Sequence, residues 1–291
     1  MKKVMIVTDS NSGITQKEGK EMGIFVIPMP FTINDEEYLE DINITQEKFF
    51  ELLAQDADVK TSQPSQMYLE ELWEELLKTN DELVYIPMSS GLSGTCENAK
   101  VYAEKFDGKV QVVDNLRISI SQKMSVWEAM KMVELGMSAK EIKEQLERTK
   151  SKASIYIIMG VLKYLKKGGR ISPTAAALGD MLKLKPILYS RGLSFEKFAI
   201  TMSFAQAKKK ILQKFRSELE TEFREEYSQG KMYFGIAHTQ IEDEALKFKE
   251  EIEKEFPNMK VVMVDPLSLS VSCHIGPGSL GVGIFVNNFN D

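Results

Sequence analysis

Short apolar runs alternate with helical patterns along the first half of the chain, and this alternation constrains the fold more than any other feature. Residues 4–7, 24–27, 83–86 and 110–113 are apolar runs of strand length. The stretch that follows Ser65 instead repeats apolar residues at helical spacing, which predicts a helix with one apolar face. Strands that alternate with helices predict a parallel sheet covered by helices.

The pattern changes near residue 160, and the length of 291 residues favours two domains over one. Helices are predicted over 204–227 and 242–255. The remaining apolar runs are predicted as strands: 154–158, 184–189, 193–200, 232–237, 260–264 and 281–286. We therefore predict an α/β fold with an N-terminal domain over 1–160 and a C-terminal domain over 161–291.

Composition excludes several classes of function. The formal net charge of −6 argues against general binding to nucleic acids or anionic membranes, because both need clustered lysine and arginine. Only two cysteines, Cys96 and Cys273, are present, which favours a reducing compartment. With two histidines and no Cys-x-x-Cys, the sequence predicts no metal site. The first apolar run is too short for a signal peptide, so we expect a cytoplasmic protein.

Three polar loops are candidates for a ligand site: 61–65, 89–95 and 274–281. In open parallel sheets, ligands bind beyond the carboxyl ends of the strands. Loop 89–95 follows a predicted strand and opens a helix, where hydroxyls and backbone N–H groups suit an anion. The alternative is that these serines and threonines cap helices and shape turns. Capping is the better interpretation for Ser65, and both interpretations stay open for loop 89–95.

Two segments resemble familiar motifs, a dinucleotide-binding loop and a nucleophile elbow, but match neither in full. Gly276, Gly278 and Gly281 fit the spacing of a dinucleotide-binding loop, but they include Pro277 and lead into a strand instead of a helix. The sequence therefore predicts no dinucleotide site. Loop 89–95 resembles the nucleophile elbow of hydrolases, but the final glycine is replaced by Thr95.

A serine-dependent acyl hydrolase remains an alternative. Ser93, His274 and either Asp9 or Asp114 supply the residue types of a Ser-His-Asp set. Sequence alone does not establish the geometry that such a set requires.

Several short motifs occur together and span nearly the whole chain: Thr-Asp-Ser at 8–10, Thr-Ser-Gln-Pro-Ser at 61–65, Ser-Ser-Gly-Leu-Ser-Gly-Thr at 89–95, Leu-Lys-Lys-Gly-Gly-Arg-Ile at 165–171, Lys-Pro at 185–186 and His-Ile-Gly-Pro-Gly at 274–278. This combination resembles the DegV family, bacterial fatty-acid-binding proteins that act as the acyl-carrying partners of fatty-acid kinase. The resemblance implies a mixed sheet in the C-terminal domain and a lipid tunnel at or near the junction of the domains.

The resemblance also implies a site and a role. Thr61, Ser93 and His274 match the residues around the fatty-acid carboxylate, and Ser62, Gly94, Thr95 and Gly276 match the supporting polar loops. The chain would be a carrier rather than an enzyme. It would need no cofactor and would make at most transient contact with membranes. It would present a long-chain fatty acid to the ATP-binding subunit of a kinase for acyl-phosphate formation.

Elementary energetics agree with that implied role. A carboxylate forms hydrogen bonds stronger than neutral ones, and each buried methylene of an acyl chain contributes about 0.8 kcal/mol. One departure concerns the kinase: family members commonly carry an arginine where the best match in this chain is Met202. A lipid storage or sensing module without a kinase therefore remains a second alternative.

Overall fold

The computed structural model describes residues 2–177 and 184–289, and these form two compact units. The first unit contains Met1–Ser151 and Ser268–Cys273, and the second contains Lys152–Leu267 and His274–Asp291. The division into domains at residue 160 stays a prediction.

The first unit is built from strands and helices in alternation. Its elements are β1 (Val4–Asp9), α1 (Gln16–Met22), β2 (Phe25–Ile27), β3 (Pro30–Ile33), β4 (Glu36–Leu39), α2 (Gln46–Ala54), β5 (Val59–Thr61), α3 (Gln66–Leu77), β6 (Glu82–Ile86), α4 (Thr95–Ala103), β7 (Val110–Val112), α5 (Ile120–Glu134) and α6 (Ala139–Arg148). Strands β2, β1, β6 and β7 form a sheet in that order, and every pairing in it is parallel. The predicted parallel sheet is confirmed.

A smaller antiparallel sheet of β4, β3 and β5 was not predicted. Its strands are only three or four residues long, and β4 begins with two exposed glutamates. Such strands have no apolar run for a sequence pattern to detect. Ser65, by contrast, caps α3 as predicted, since its side chain accepts a hydrogen bond from the Tyr68 N–H.

The second unit is organised around one six-stranded sheet. Its elements are β8 (Ala153–Ile158), α7 (Lys163–Gly168), α8 (Pro173–Ala176), β9 (Lys185–Ser190), β10 (Glu196–Thr201), α9 (Phe204–Glu220), α10 (Arg224–Ser228), β11 (Met232–His238), α11 (Glu242–Glu255), β12 (Val261–Pro266), the end of α12 (Leu269–Ile275) and β13 (Leu280–Val286). The strand order is β10-β9-β8-β13-β11-β12. Only the β11–β12 pairing is parallel, so the predicted mixed sheet is confirmed.

Several helices differ from the prediction, which named none at α5, α6, α8 or α12. The single helix expected over 204–227 is divided into α9 and α10, and the break allows Phe223 to be buried in the core. Helix α12 was not expected. Its first N–H, on Leu269, donates to a carboxyl oxygen of Glu40 at 2.6 Å, so a residue distant in sequence supports the start of this helix.

Aromatic packing fills the core of the second unit. The ring of Phe215, on α9, lies 5.1 Å from that of Tyr156 and 5.4 Å from that of Phe234, measured between centroids. All three side chains are fully buried. Edge-to-face packing of this kind adds to the stabilisation that burial alone provides.

We expect Phe215→Ala to lower the free energy of unfolding by about 3–5 kcal/mol, because it leaves a cavity among rings that cannot collapse fully. Urea denaturation followed by far-UV circular dichroism measures this change. Leu246→Ala on α11 is the control, since Leu246 is exposed. A loss no larger than that of the control would contradict the placement of Phe215 in the core.

Candidate functional site

Loop 61–65 begins at the edge of the small sheet. Thr61 is the last residue of β5 and pairs with Phe31 of β3. The Ser62 N–H donates to the Pro30 carbonyl at 3.1 Å, which continues the pairing by one residue. Thr61 is half-buried and Ser62 is exposed. The strand therefore fixes the main chain at Thr61 in a partly accessible position.

Loop 89–95 is a compact turn between β6 and α4. The N–H groups of Leu92 and Ser93 both donate to the Ser89 carbonyl at 3.1 Å. The Ser93 hydroxyl oxygen accepts from the Thr95 N–H at 3.2 Å and lies 2.9 Å from the Thr95 hydroxyl oxygen. When Thr95 donates in that pair, the Ser93 hydrogen is available to an acceptor. Ser93 is half-buried, so the residue is partly accessible.

An amide pair brings these two loops together. The side-chain N–H of Asn98, on α4, donates to the side-chain carbonyl of Gln63 at 3.0 Å. Gly94 lies against the same Gln63 oxygen, 3.7 Å from where a Cβ would stand. Thr61 and Ser93 are thus carried on neighbouring loops of the first unit. Sequence reasoning missed Gln63 and Asn98, and the only signal was the position of Gln63 inside a polar loop.

His274 lies in the second unit and in a helix rather than a loop. It stands in the last turn of α12, so the expectation of a continuous loop over 274–281 was wrong. The half-buried imidazole packs against Gly168, where a Cβ would lie 2.0 Å from Nδ1. Burial, together with the nearby Arg170 charge, lowers the pKa of His274 to about 4. The imidazole is therefore neutral at pH 7.

The glycine after His274 has a steric role. Gly276 has a φ of 70°, and a Cβ there would lie 2.3 Å from the Tyr164 ring. Both constraints favour glycine at this position. The structure thus explains Gly276 by packing, and the part that His274 plays with Thr61 and Ser93 stays a prediction from the sequence.

Neither candidate acid of a hydrolase triad is committed to an imidazole. Asp9 accepts hydrogen bonds at both carboxylate oxygens from main-chain and amide groups of the first unit. Asp114 accepts from Lys100 at 3.0 Å. The geometry of these carboxylates gives the hydrolase alternative no support.

One group of potential metal ligands occurs among the described residues: Cys96, Glu97 and Asp114, whose ligand atoms lie within 4.8 Å of one another. Lys100 donates to both carboxylates, at 2.7 and 3.0 Å, so a cation already balances their charge. Burial also raises the pKa of the Cys96 thiol to about 12, which disfavours the thiolate that a metal needs. These contacts favour an ion-pair cluster over a metal centre.

The fold and the loops together define an α/β protein of two compact units with hydroxyl-rich loops after its strands. A family model described as an uncharacterised protein of the DegV family matches residues 3–287. The chain belongs to the DegV family, which confirms the resemblance drawn from its motifs. In the described part of the chain, no helix is long and apolar enough to cross a membrane.

Individual relatives agree over almost the whole chain. A DegV domain-containing protein of Staphylococcus aureus is 31% identical over 284 residues, which cover 97% of this chain and 98% of that protein. A structure described as fatty-acid binding of a DegV family protein from Thermus thermophilus matches with a TM-score of 0.85 and 27% identity, covering 98% and 100% of the two chains. DegV of Bacillus subtilis, described as a fatty acid binding protein, matches with a TM-score of 0.84 and 27% identity, covering 99% and 100%.

We expect His274 to titrate near pH 4, because burial and the Arg170 charge both oppose the imidazolium. Nitrogen-15 NMR of labelled histidine measures this midpoint. Arg170→Gln should raise it, whereas Arg224→Gln, at an exposed arginine of the same unit, should not.

The same shift has a consequence for stability. Since the folded pKa lies below the ordinary value of 6.5, the unfolded chain binds the proton more tightly. The contribution of His274 to the free energy of unfolding is therefore lost as the pH falls from about 6.5 to 4. A midpoint near 6.5 in the folded protein would contradict the buried position of the ring.

Proposed function

We propose that this protein binds a long-chain fatty acid and holds its carboxylate with the Thr61 and Ser93 hydroxyls. The observation that carries the proposal is the contact between loops 61–65 and 89–95, which places two half-buried hydroxyl residues on adjoining main-chain turns. Two DegV-family structures at 27% identity, described as fatty-acid binding, support the ligand class.

Hydroxyl groups suit the proposed ligand. A carboxylate removed from water needs donors to replace its hydration, and a hydroxyl supplies one without the desolvation cost of a second charge. The acyl chain provides the larger share of the affinity, at about 0.8 kcal/mol per buried methylene. We further propose that His274 donates a hydrogen bond from its neutral imidazole to the same carboxylate.

The proposed role is that of a carrier without chemistry of its own. In this proposal the bound carboxylate is presented to the ATP-binding subunit of a fatty-acid kinase, which forms the acyl-phosphate. Met202, which stands where the family often has arginine, is 73% exposed. It lines a surface depression together with Lys209 and Lys210, so cationic groups adjoin the position of the missing arginine.

Replacing the two hydroxyls tests the carboxylate site. Thr61→Val with Ser93→Ala should weaken fatty-acid binding by about 1.5–3 kcal/mol for each hydrogen bond lost to the charged ligand. Displacement of a fluorescent fatty acid measures the change. Thr221→Val with Ser228→Ala is the matched control, since these exposed hydroxyls donate only to carbonyls of their own helical segments in the second unit.

Wild-type affinity in the Thr61/Ser93 double variant, with an unchanged circular dichroism spectrum, would refute the carboxylate assignment. Equal losses in the test and control pairs would also refute it, because the effect would then not depend on position.

The carrier role is tested by reconstituting acyl-phosphate formation from fatty acid, ATP, a bacterial fatty-acid kinase subunit and this protein. Product should form only when both proteins are present. Met202→Arg should raise the rate while leaving lipid affinity within about twofold, because the side chain is exposed. Lys17→Arg, at an exposed position of the first unit, is the control for added guanidinium.

Failure to form acyl-phosphate with a kinase that accepts another family member would favour lipid storage or sensing. Steady turnover of a chromogenic long-chain ester that depends on Ser93 would instead favour the hydrolase.

A further inference from the structure

A carboxylate with no exposed surface lies at the end of β1, next to loop 89–95. Asp9 Oδ1 accepts from the Asn11 N–H at 3.1 Å and from the Gln122 side-chain amide at 3.0 Å. Its Oδ2 accepts from the Met88 N–H at 3.0 Å. All three partners are donors, and Asp9 is 0% exposed. An ionised carboxylate, which only accepts hydrogen bonds, satisfies all three at once.

Met88 immediately precedes loop 89–95. The next N–H, on Ser89, donates to the Arg117 carbonyl at 2.8 Å, and the Ser89 carbonyl in turn accepts from the Ser93 N–H at 3.1 Å. A short chain of hydrogen bonds therefore runs from Asp9 through the main chain of the turn to Ser93. Beyond the Asp9 carboxylate itself, every link is made by main-chain atoms, so a shift at Met88 bears on the position of Ser93.

A second carboxylate lies near the same turn. Asp114 accepts from the Lys100 side chain at 3.0 Å, and both Lys100 and Ser90 of the turn lower its pKa. Burial raises the pKa of Asp114, but hydrogen bonds from Lys100 and Ser90 outweigh it, and the pKa lies below its ordinary value. This carboxylate stays ionised at neutral and mildly acidic pH, whereas Asp9 has no cation among the partners described above.

We propose that Asp9 is a positioning residue of the carboxylate site: its ionised side chain fixes Met88 and thereby the place of Ser93. The inference rests on the proposed function, since it concerns the affinity of the site that Ser93 serves. Protonation of Asp9 places a hydrogen on a carboxyl oxygen whose described partners are all hydrogen-bond donors. At least one hydrogen bond is then lost, the Met88 anchor loosens, and fatty-acid affinity falls.

The proposal predicts the pH range of this loss. Burial raises the pKa of Asp9 from 3.8 to about 6, although hydrogen bonds from Met88, Gln122 and Asn11 oppose the shift. Around it, α5 presents the neutral Gln122 amide and β6 presents Tyr85, whose pKa burial and the Asp9 charge raise further. Glu40 is another buried carboxyl of the first unit, and burial raises its pKa to about 8, so it is largely protonated at pH 7.

Unfolding does not explain a loss of affinity in this range through Asp9. Its folded pKa lies above the ordinary 3.8, so the folded protein binds this proton more tightly than the unfolded chain does. The contribution of Asp9 to the free energy of unfolding therefore rises as the pH falls from about 6 to 3.8. Affinity and this part of the stability move in opposite directions.

The test compares wild type with Asp9→Asn from pH 8 to pH 5, using displacement of a fluorescent long-chain fatty acid. The Asn side chain presents an NH₂ group where the Asp9 carboxylate accepts hydrogen bonds. The variant should therefore bind fatty acid about tenfold more weakly at pH 8, which is the equivalent of one lost charge-assisted hydrogen bond. Wild type should lose affinity with a midpoint near pH 6, and the variant should lack that step. Titration of the ligand affects both proteins equally and cancels in their ratio.

A second readout uses wild type alone. The Met88 amide proton should shift with a midpoint near pH 6 in nitrogen-15 NMR, because its acceptor loses charge there. Asp81→Asn is the control: Asp81 accepts from the Lys3 N–H at 2.7 Å, immediately before β6 and so at the other end of that strand from Met88. It should bind with wild-type affinity and keep the step near pH 6.

The outcomes separate the two proposals. If wild type binds fatty acid and Asp9→Asn matches it at every pH, the positioning role is overturned. If Asp9→Asn does not fold, coincident midpoints of affinity and Met88 shift in wild type support the role, and a Met88 amide that does not respond overturns it. If wild type binds no fatty acid, the proposed function fails, while the Met88 titration still decides whether Asp9 holds the loop.

Discussion

A negative charge without exposed surface must be met by donors, and the first unit is arranged around that requirement at Asp9. Parallel pairing of β1 with β6 aligns Thr8 with Ile86, so the two strands deliver Asp9 and Met88 to the same edge of the sheet. Helix α5 adds the Gln122 amide, which also donates to the Thr8 hydroxyl and to the Ile86 carbonyl. One carboxylate thus joins two strands, a helix and the loop that carries Ser93.

Close main-chain packing constrains the second unit where the chain enters β13. The Gly160 N–H, just beyond β8, donates to the Ser279 hydroxyl at 3.0 Å. A Cβ on Gly160 would lie 2.3 Å from the Pro277 carbonyl oxygen, so only glycine fits without movement. Gly276 and Gly278, which match the spacing of a dinucleotide-binding loop, have φ of 70° and 73° just before β13, so they serve the turn that leads into this strand.

Features carried by local chemistry were predictable. The strands of the parallel sheet are apolar runs, α3 begins at its capping serine, and α11 begins and ends at the predicted residues 242 and 255. Features that need a distant partner were missed. Helix α12 receives an acceptor from Glu40, and β4 pairs with β3 without an apolar run of its own. Neither partner is visible in the local sequence.

For the site, the sequence alone determined which polar loops are candidates, because clustered hydroxyls and glycines after strands are unusual enough to stand out and to resemble one family. It also determined Thr61 and Ser93 as candidates. Only the tertiary structure decided that Gln63 and Asn98 join those loops, that His274 is a neutral group at a helix end, and that Asp9 faces three donors. Hydrogen bonds and desolvation depend on atoms separated by up to about a hundred residues of chain, so their effects appear only once the fold has brought those atoms together.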